Sequence, residues 1–227
     1  MSWSSEVWEK SLKIYQAILR QPFIKELAAG TLDADRFTRY IAQDEVYLGN
    51  YGRQMEEFAQ LMDDPQEKAF FMEYAKSGME GEAAMHQLLI DRFQMDIAVQ
   101  SSVVTSTYNG RTQKAVDTGV KEIGLAALLP CAWIYNEVGL QILETAKLDG
   151  NPYKEWILEY GNEEFTRGTR ILVDMIDEWA EKADEATRQE MTRVYIEGAI
   201  CEYAFWEYGY NGDAGNYDYL KTWILEV

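Results

Sequence analysis

The chain has 227 residues, with 21 Lys and Arg against 39 Asp and Glu, a formal net charge of −18. Apolar residues make up 47% and aromatics 13%, enough to bury a core, which excludes disorder as the main state. The acid excess argues against nucleic acid, whose phosphates need clustered Lys and Arg, and against adsorption to an anionic membrane surface. No low-complexity linker or internal repeat appears, so one domain over residues 1–227 is expected.

The N-terminus, MSWSSEVWEK, has neither a basic nor an apolar leader region. The uncharged run from Ile123 to Asn136 is too short and too interrupted by Gly and Pro to suggest a membrane span. Cys131 and Cys201 are the two cysteines. They form neither a disulfide framework nor a paired-cysteine zinc pattern. A soluble, cytoplasmic protein is the expectation.

In chain order, the first clear periodic element contains Phe37, Ile41, Asp44, Leu48, Tyr51, Met55, Phe58 and Met62. The alternating four-three spacing predicts an amphipathic helix, with Asp33 or Asp35 as its N-cap. Pro65 follows, and a second helix is predicted from about Gln66 to Phe93. His86, the one histidine, falls there in a polar segment, GEAAMHQLL, and reads as a surface or partly buried side chain. Residues 99–107 form the one β-branched cluster. Gly124, Leu128, Cys131, Tyr135, Val138 and Ile142 make another four-three stripe, with Pro130 inside it. The clusters at residues 149–151 and 211–213 read as loops. Between them Met191, Tyr195, Ala199, Glu202 and Trp206 form a further stripe. The fold class is therefore all-α, with roughly seven or eight helices.

Three residues interrupt these stripes. A carboxylate on an apolar face is paired, protonated or beside a cavity, because an unpaired buried charge is costly. Asp44 either pairs with a buried Arg or Tyr or serves a site. Glu202, followed by Phe205 and Trp206 one turn on, either reaches solvent through a small helix rotation or serves a site. Cys131 is either core packing or a nucleophile. Pro130 removes a backbone donor and disturbs the preceding turn, which can present the thiol that follows. Cys201 lies about 100° around the helix from Glu202 and reads as packing. The 15 tyrosines include Tyr47, Tyr51, Tyr108, Tyr135, Tyr160 and Tyr203 near these positions. Each reads as core or as a wall against a planar heterocycle, with a hydroxyl for its edge.

Four stretches together resemble the TenA family, thiaminase II, of the haem-oxygenase-like helical fold. They are PFIKELAAGTLDADRFTRYIAQDEVYL, LAALLPCAWIYNEVG, NPYKEWILEYGNEEF and CEYAFWEYGY. They lie between residues 22 and 210, and LLPCxW with a later ExxFW is specific in combination. Cys131 falls at the family's nucleophile position, which points to the cysteine-containing branch. The resemblance implies hydrolysis of 4-amino-5-aminomethyl-2-methylpyrimidine to the hydroxymethylpyrimidine, with cleavage of thiamin as a second activity. It also implies a homotetramer that needs no metal or cofactor. Carried over by motif, Cys131, Glu202, Asp44 and Tyr160 are the catalytic set. Tyr47, Tyr108, Tyr135 and Phe205 bind the substrate, although the TSTYNGRT around Tyr108 departs from the usual Ala-Tyr context.

These residues suit a covalent route in which Cys131 attacks the pyrimidine, Glu202 moves protons and Asp44 holds the aminopyrimidine edge. Two other classes compete. A haem or dimetal oxidase needs axial His or Glu-x-x-His pairs, and here Glu82 precedes His86 by four residues instead of three. A non-catalytic protein that binds the aminopyrimidine or thiamin is the other, and a hydrolase acting on a different amine or a formylated aminopyrimidine is a variant of the first reading.

Overall fold

The computed structural model of the protein describes residues 1–223, those at 77–80 by backbone alone. The last four positions of the expected domain, 224–227, lie outside the described residues. The helices are α1 (Trp3–Arg20), α2 (Pro22–Ala29), α3 (Ala34–Ala59), α4 (Pro65–Phe93), α5 (Val103–Val116), α6 (Lys121–Thr145), α7 (Lys154–Tyr160), α8 (Glu163–Lys182), α9 (Glu185–Asn211) and a four-residue α10 (Tyr219–Thr222). A 3-10 turn, Gly212–Ala214, follows α9. No strand occurs among the described residues.

The caps explain most boundaries. Asp33, not Asp35, caps α3, and its side chain accepts from the Asp35 and Arg36 amides at 3.0 and 3.4 Å. Ser102 caps α5 by accepting from the Thr105 amide at 3.0 Å, so the β-branched cluster enters a helix at Val103. There are more helices than the expected seven or eight because short ones separate from their neighbours. Gln21, held extended before Pro22, divides α1 from α2. Gly161 and the Asn162 cap divide α7 from α8.

By length and composition α6 could cross a membrane, although 78% of its most apolar stretch is buried inside the protein. The uncharged run is shorter than the helix because charged residues at both of its ends belong to α6 as well. α9 lies against α1, α3, α5 and, most extensively, α6. α3 lies against α4 as well, and the end of α7 rests on α6.

Two glycines set these distances. A Cβ at Gly198 on α9 would stand 2.7 Å from Cγ of Pro130, so α9 can pass the proline ring of α6 only without a side chain there. A Cβ at Gly139 would stand 2.5 Å from the Tyr160 carbonyl carbon and oxygen. That close approach, with Asn136 Nδ2 donating to the Tyr160 carbonyl at 3.3 Å, fixes where the Tyr160 ring enters the interior. Because a proline ring cannot swing aside, Gly198→Ala should overpack the α6–α9 contact and cost about 1–3 kcal/mol, read from the midpoint of chemical denaturation.

Candidate active site

The eight residues singled out from the sequence come from five helices and meet in one region. Asp44 and Tyr47 lie on α3, Tyr108 on α5, Cys131 and Tyr135 on α6, Tyr160 on α7, and Glu202 and Phe205 on α9. All are buried except Cys131, which is half-buried. They touch in sequence. The Tyr47 and Tyr108 rings lie 4.8 Å apart and Tyr47 and Phe205 5.7 Å apart. Tyr135 lies 5.0 Å from the Tyr160 ring and 4.6 Å from Trp206. The Tyr40 and Tyr135 hydroxyls are 3.2 Å apart, and Trp156 Nε1 donates to Tyr40 at 3.2 Å.

Glu202 is 1% exposed, and the Tyr108 hydroxyl donates to its Oε1 at 2.6 Å. Burial pushes its carboxyl up to about 8, the Tyr108 bond opposes this, and the charge of Asp44 adds to it. The rotation of Glu202 toward solvent, open from the sequence, is thus not adopted.

Burial likewise pushes the Cys131 thiol well up, followed by the charges of Glu202 and Glu82, while a hydrogen bond from Tyr47 works in the opposite direction. The resting group is a thiol, and forming the nucleophile requires a base or an approaching positive charge. Cys201 is fully buried, as its packing role requires.

The partner of Asp44 is neither Arg nor Tyr alone. His86 Nε2 on α4 stands 3.4 Å from Asp44 Oδ2. The other imidazole nitrogen, Nδ1, bonds to Glu45 Oε1. His86 is 1% exposed, which corrects its reading as a surface or partly buried side chain. The position is polar only because two carboxylates wait for it inside. Burial alone would lower the imidazole, but its bonds to Asp44 and Glu45 and their charges outweigh this and push it up to about 10. His86 is therefore a cation at neutral pH. The Glu45 carboxyl is held below its usual range, first by the His86 bond.

Beside Cys131 opens a cavity of about 320 Å³. Of the eight expected residues, only Cys131 lines it. Its other walls include Tyr51, Glu82, Asn162 and Phe165. Glu82 accepts from the Tyr160 hydroxyl at 3.2 Å. Neither Glu82 nor His86 was selected from the sequence as a site residue. Their i, i+4 spacing puts both on one face of α4, a signal masked by the polar residues around them.

His86 holds a folded-state value above the unfolded value of about 6.5. Its stabilisation is complete below that value and is lost as pH rises through about 10. His86→Gln should destabilise by about 3 kcal/mol at pH 7, since it leaves Asp44 buried without its counter-charge. Urea titrations should show the gap narrowing from about pH 6.5 upward and largely closed near pH 10. Glu202 has a dependence of the same sign in a lower window. Its proton is retained on folding between the unfolded value, near 4.3, and about 8, so wild-type stability should fall by roughly 1.4 kcal/mol per pH unit in that window from this group. Glu202→Gln should make the fall shallower, read from Tm between pH 5 and 8.

A sequence model of the TENA/THI-4/PQQC family matches residues 8–212. The aminopyrimidine aminohydrolase of Bacillus subtilis strain 168 is 27% identical over 97% of this chain and 95% of its own length. A solved TenA homologue from P. horikoshii OT3 superposes with a TM-score of 0.84 at 26% identity, over 93% of this chain and 100% of the other. A Shewanella denitrificans OS217 domain with a heme oxygenase-like fold superposes with a TM-score of 0.70 at 15% identity, over 96% and 94% of the two chains. That last likeness concerns the fold alone. With the family match running through every helix that carries the site, this all-helical chain belongs to the TENA/THI-4/PQQC family.

Proposed function

We propose that the protein is a thiamin-pyrimidine salvage hydrolase. It releases ammonia from 4-amino-5-aminomethyl-2-methylpyrimidine to give the hydroxymethylpyrimidine, and it cleaves thiamin at the same carbon. The observation that carries this reading is the half-buried Cys131 thiol at a 320 Å³ cavity, hydrogen-bonded by Tyr47 and backed by the buried carboxyls of Glu202 and Asp44. The name and similarity of the Bacillus subtilis relative support it.

In the first step the Cys131 S–H bond breaks, its proton passing to a ring nitrogen of the pyrimidine, as the sulfur forms a bond to the adjacent electron-poor carbon; the proton returns to sulfur when the C–S bond is later broken. The ring electrons then expel the exocyclic nitrogen as the CH2–N bond breaks. Water adds its oxygen to the resulting methylene, gives up a proton to a carboxylate, and the C–S bond breaks to return the thiol. Asp44, with the His86 imidazolium beside it, is the group to hold the amino edge of the pyrimidine and to favour its protonated form as charge develops. A positive ring also draws the Cys131 proton off more readily, which offsets the burial of the thiol. Glu202, protonated in the resting enzyme, is the inner acid–base group. Tyr160 orients the ring, and Tyr47, Tyr108, Tyr135 and Phe205 enclose it. No step calls for a metal or cofactor. The same reading takes the enzyme as a cytoplasmic homotetramer acting on a small molecule, with no nucleic-acid or membrane partner. Its support is the family resemblance and the −18 charge.

The test is release of ammonia and hydroxymethylpyrimidine by wild type and Cys131→Ser. The variant should fold normally and lose on the order of 10³-fold or more in kcat. Near-normal turnover by the serine variant would sink the covalent route. Tight binding of the aminopyrimidine without turnover by wild type would favour a binding protein.

A further inference from the structure

We propose that Glu82 is a second acid of the reaction, standing on the open side of Cys131, and that it supplies the proton with which the departing amine leaves. This deepens the aminohydrolase reading and rests on it.

Two carboxyls flank the thiol, and they stand in different places. Glu202 is 1% exposed, is engaged by Tyr108 at 2.6 Å and does not line the cavity. Glu82 lines the same cavity as Cys131. A group expelled from the substrate's exocyclic carbon must leave through that space, and so it passes Glu82. The Tyr160 hydroxyl donates to Glu82 Oε1 at 3.2 Å. That oxygen accepts, so the acidic proton belongs on Oε2.

The charges around Glu82 fit a proton donor. Asp44 acts on it from α3, His86 from its own helix, and Tyr160 and Glu159 from α7. Burial, with Asp44 adding and His86 and Tyr160 opposing, raises it to about 8, so the proton is in place at neutral pH. Glu164 and Arg167 also line the cavity.

The step balances. Once the Cys131 C–S bond has formed, the exocyclic C–N bond breaks and its electron pair goes to nitrogen. The proton on Glu82 Oε2 moves to that nitrogen, the amine leaves neutral, and Glu82 remains as carboxylate. It then takes a proton from the water that adds to the methylene, which restores the acid and leaves the product hydroxyl. Thiamin differs. Its leaving thiazole nitrogen carries a positive charge in the substrate and departs neutral with the bonding pair, so no proton is needed.

That difference supplies the experiment. Wild type, Glu82→Gln and Glu82→Asp are compared on thiamin and on aminomethylpyrimidines whose amine bears a series of substituted phenyl rings. These arylamines arrive neutral and need a proton to leave. Glu82→Gln should lose about 100-fold or more in kcat on the arylamine substrates, with a steeper dependence on leaving-group basicity, a size typical of a positioned general acid. On thiamin the loss should be at least about tenfold smaller than on the arylamine substrates. Glu82→Asp, which keeps a carboxyl, should recover at least about tenfold of the arylamine loss. Equal losses on both substrate types, or an unchanged leaving-group slope, overturn the assignment and leave Glu82 a packing residue. If thiamin is not turned over, the slope alone decides. Wild type that cleaves none of the compounds overturns the hydrolase reading itself, an outcome distinct from any change confined to the Glu82 variants.

Discussion

The contact between the His86 imidazolium and Asp44 is what allows this interior to hold its acids. Asp44, Glu82 and Glu202 are drawn into a region walled by tyrosine and tryptophan, where an unpaired negative charge is expensive. Their charges also act on one another: Asp44 raises both glutamates. Such a set cannot be ionised throughout. The structure divides it by giving the imidazolium to Asp44 and hydroxyl partners to the other two, Tyr160 for Glu82 and Tyr108 for Glu202. Burial and the charge of Asp44 keep Glu82 and Glu202 protonated, the two tyrosine bonds opposing this only in part, while the imidazolium stands beside Asp44. The same pocket can then bind a cation and donate a proton, two tasks that need opposite protonation states.

The packing serves that division. α3 brings Asp44, Tyr47 and Tyr51, and α4 lies along it to bring Glu82 and His86. Gly139 lets the end of α7 settle on α6, so the Tyr160 hydroxyl can reach Glu82. Gly198 lets α9 cross the proline turn beside Cys131. Neither glycine contributes a side chain to the site, yet each sets the position of one that does.

Asp44 and Glu202 were legible in the sequence because each breaks an apolar stripe, and a charge in a seam is conspicuous. Cys131 was conspicuous through Pro130. His86 and Glu82 were not. Glu82 and His86 share a side of α4 with the buried Phe71, Ala75, Met85 and Leu89, but the polar run GEAAMHQ around them blurs that stripe. Which face turns inward is decided by Asp44 and Glu45 across the helix contact, a long-range fact that no local pattern contains. The helix boundaries show the same division. The caps at Asp33 and Ser102 lie in the local sequence, whereas the brief α7 exists because its end can rest on Gly139, more than a dozen residues upstream.

Of the two carboxylates that hold His86, the side chain of Glu45 is 36% exposed and that of Asp44 3%. Dissolved ions therefore never approach Asp44, but they do approach Glu45. Added salt screens the outer half of this chain of charges while leaving the inner half in its low-dielectric surroundings. The buried anion is thus connected to the ionic atmosphere at one end only, through a histidine, and the ionic strength of the medium is felt inside the pocket as a slight strengthening of the imidazolium's preference for its inner partner.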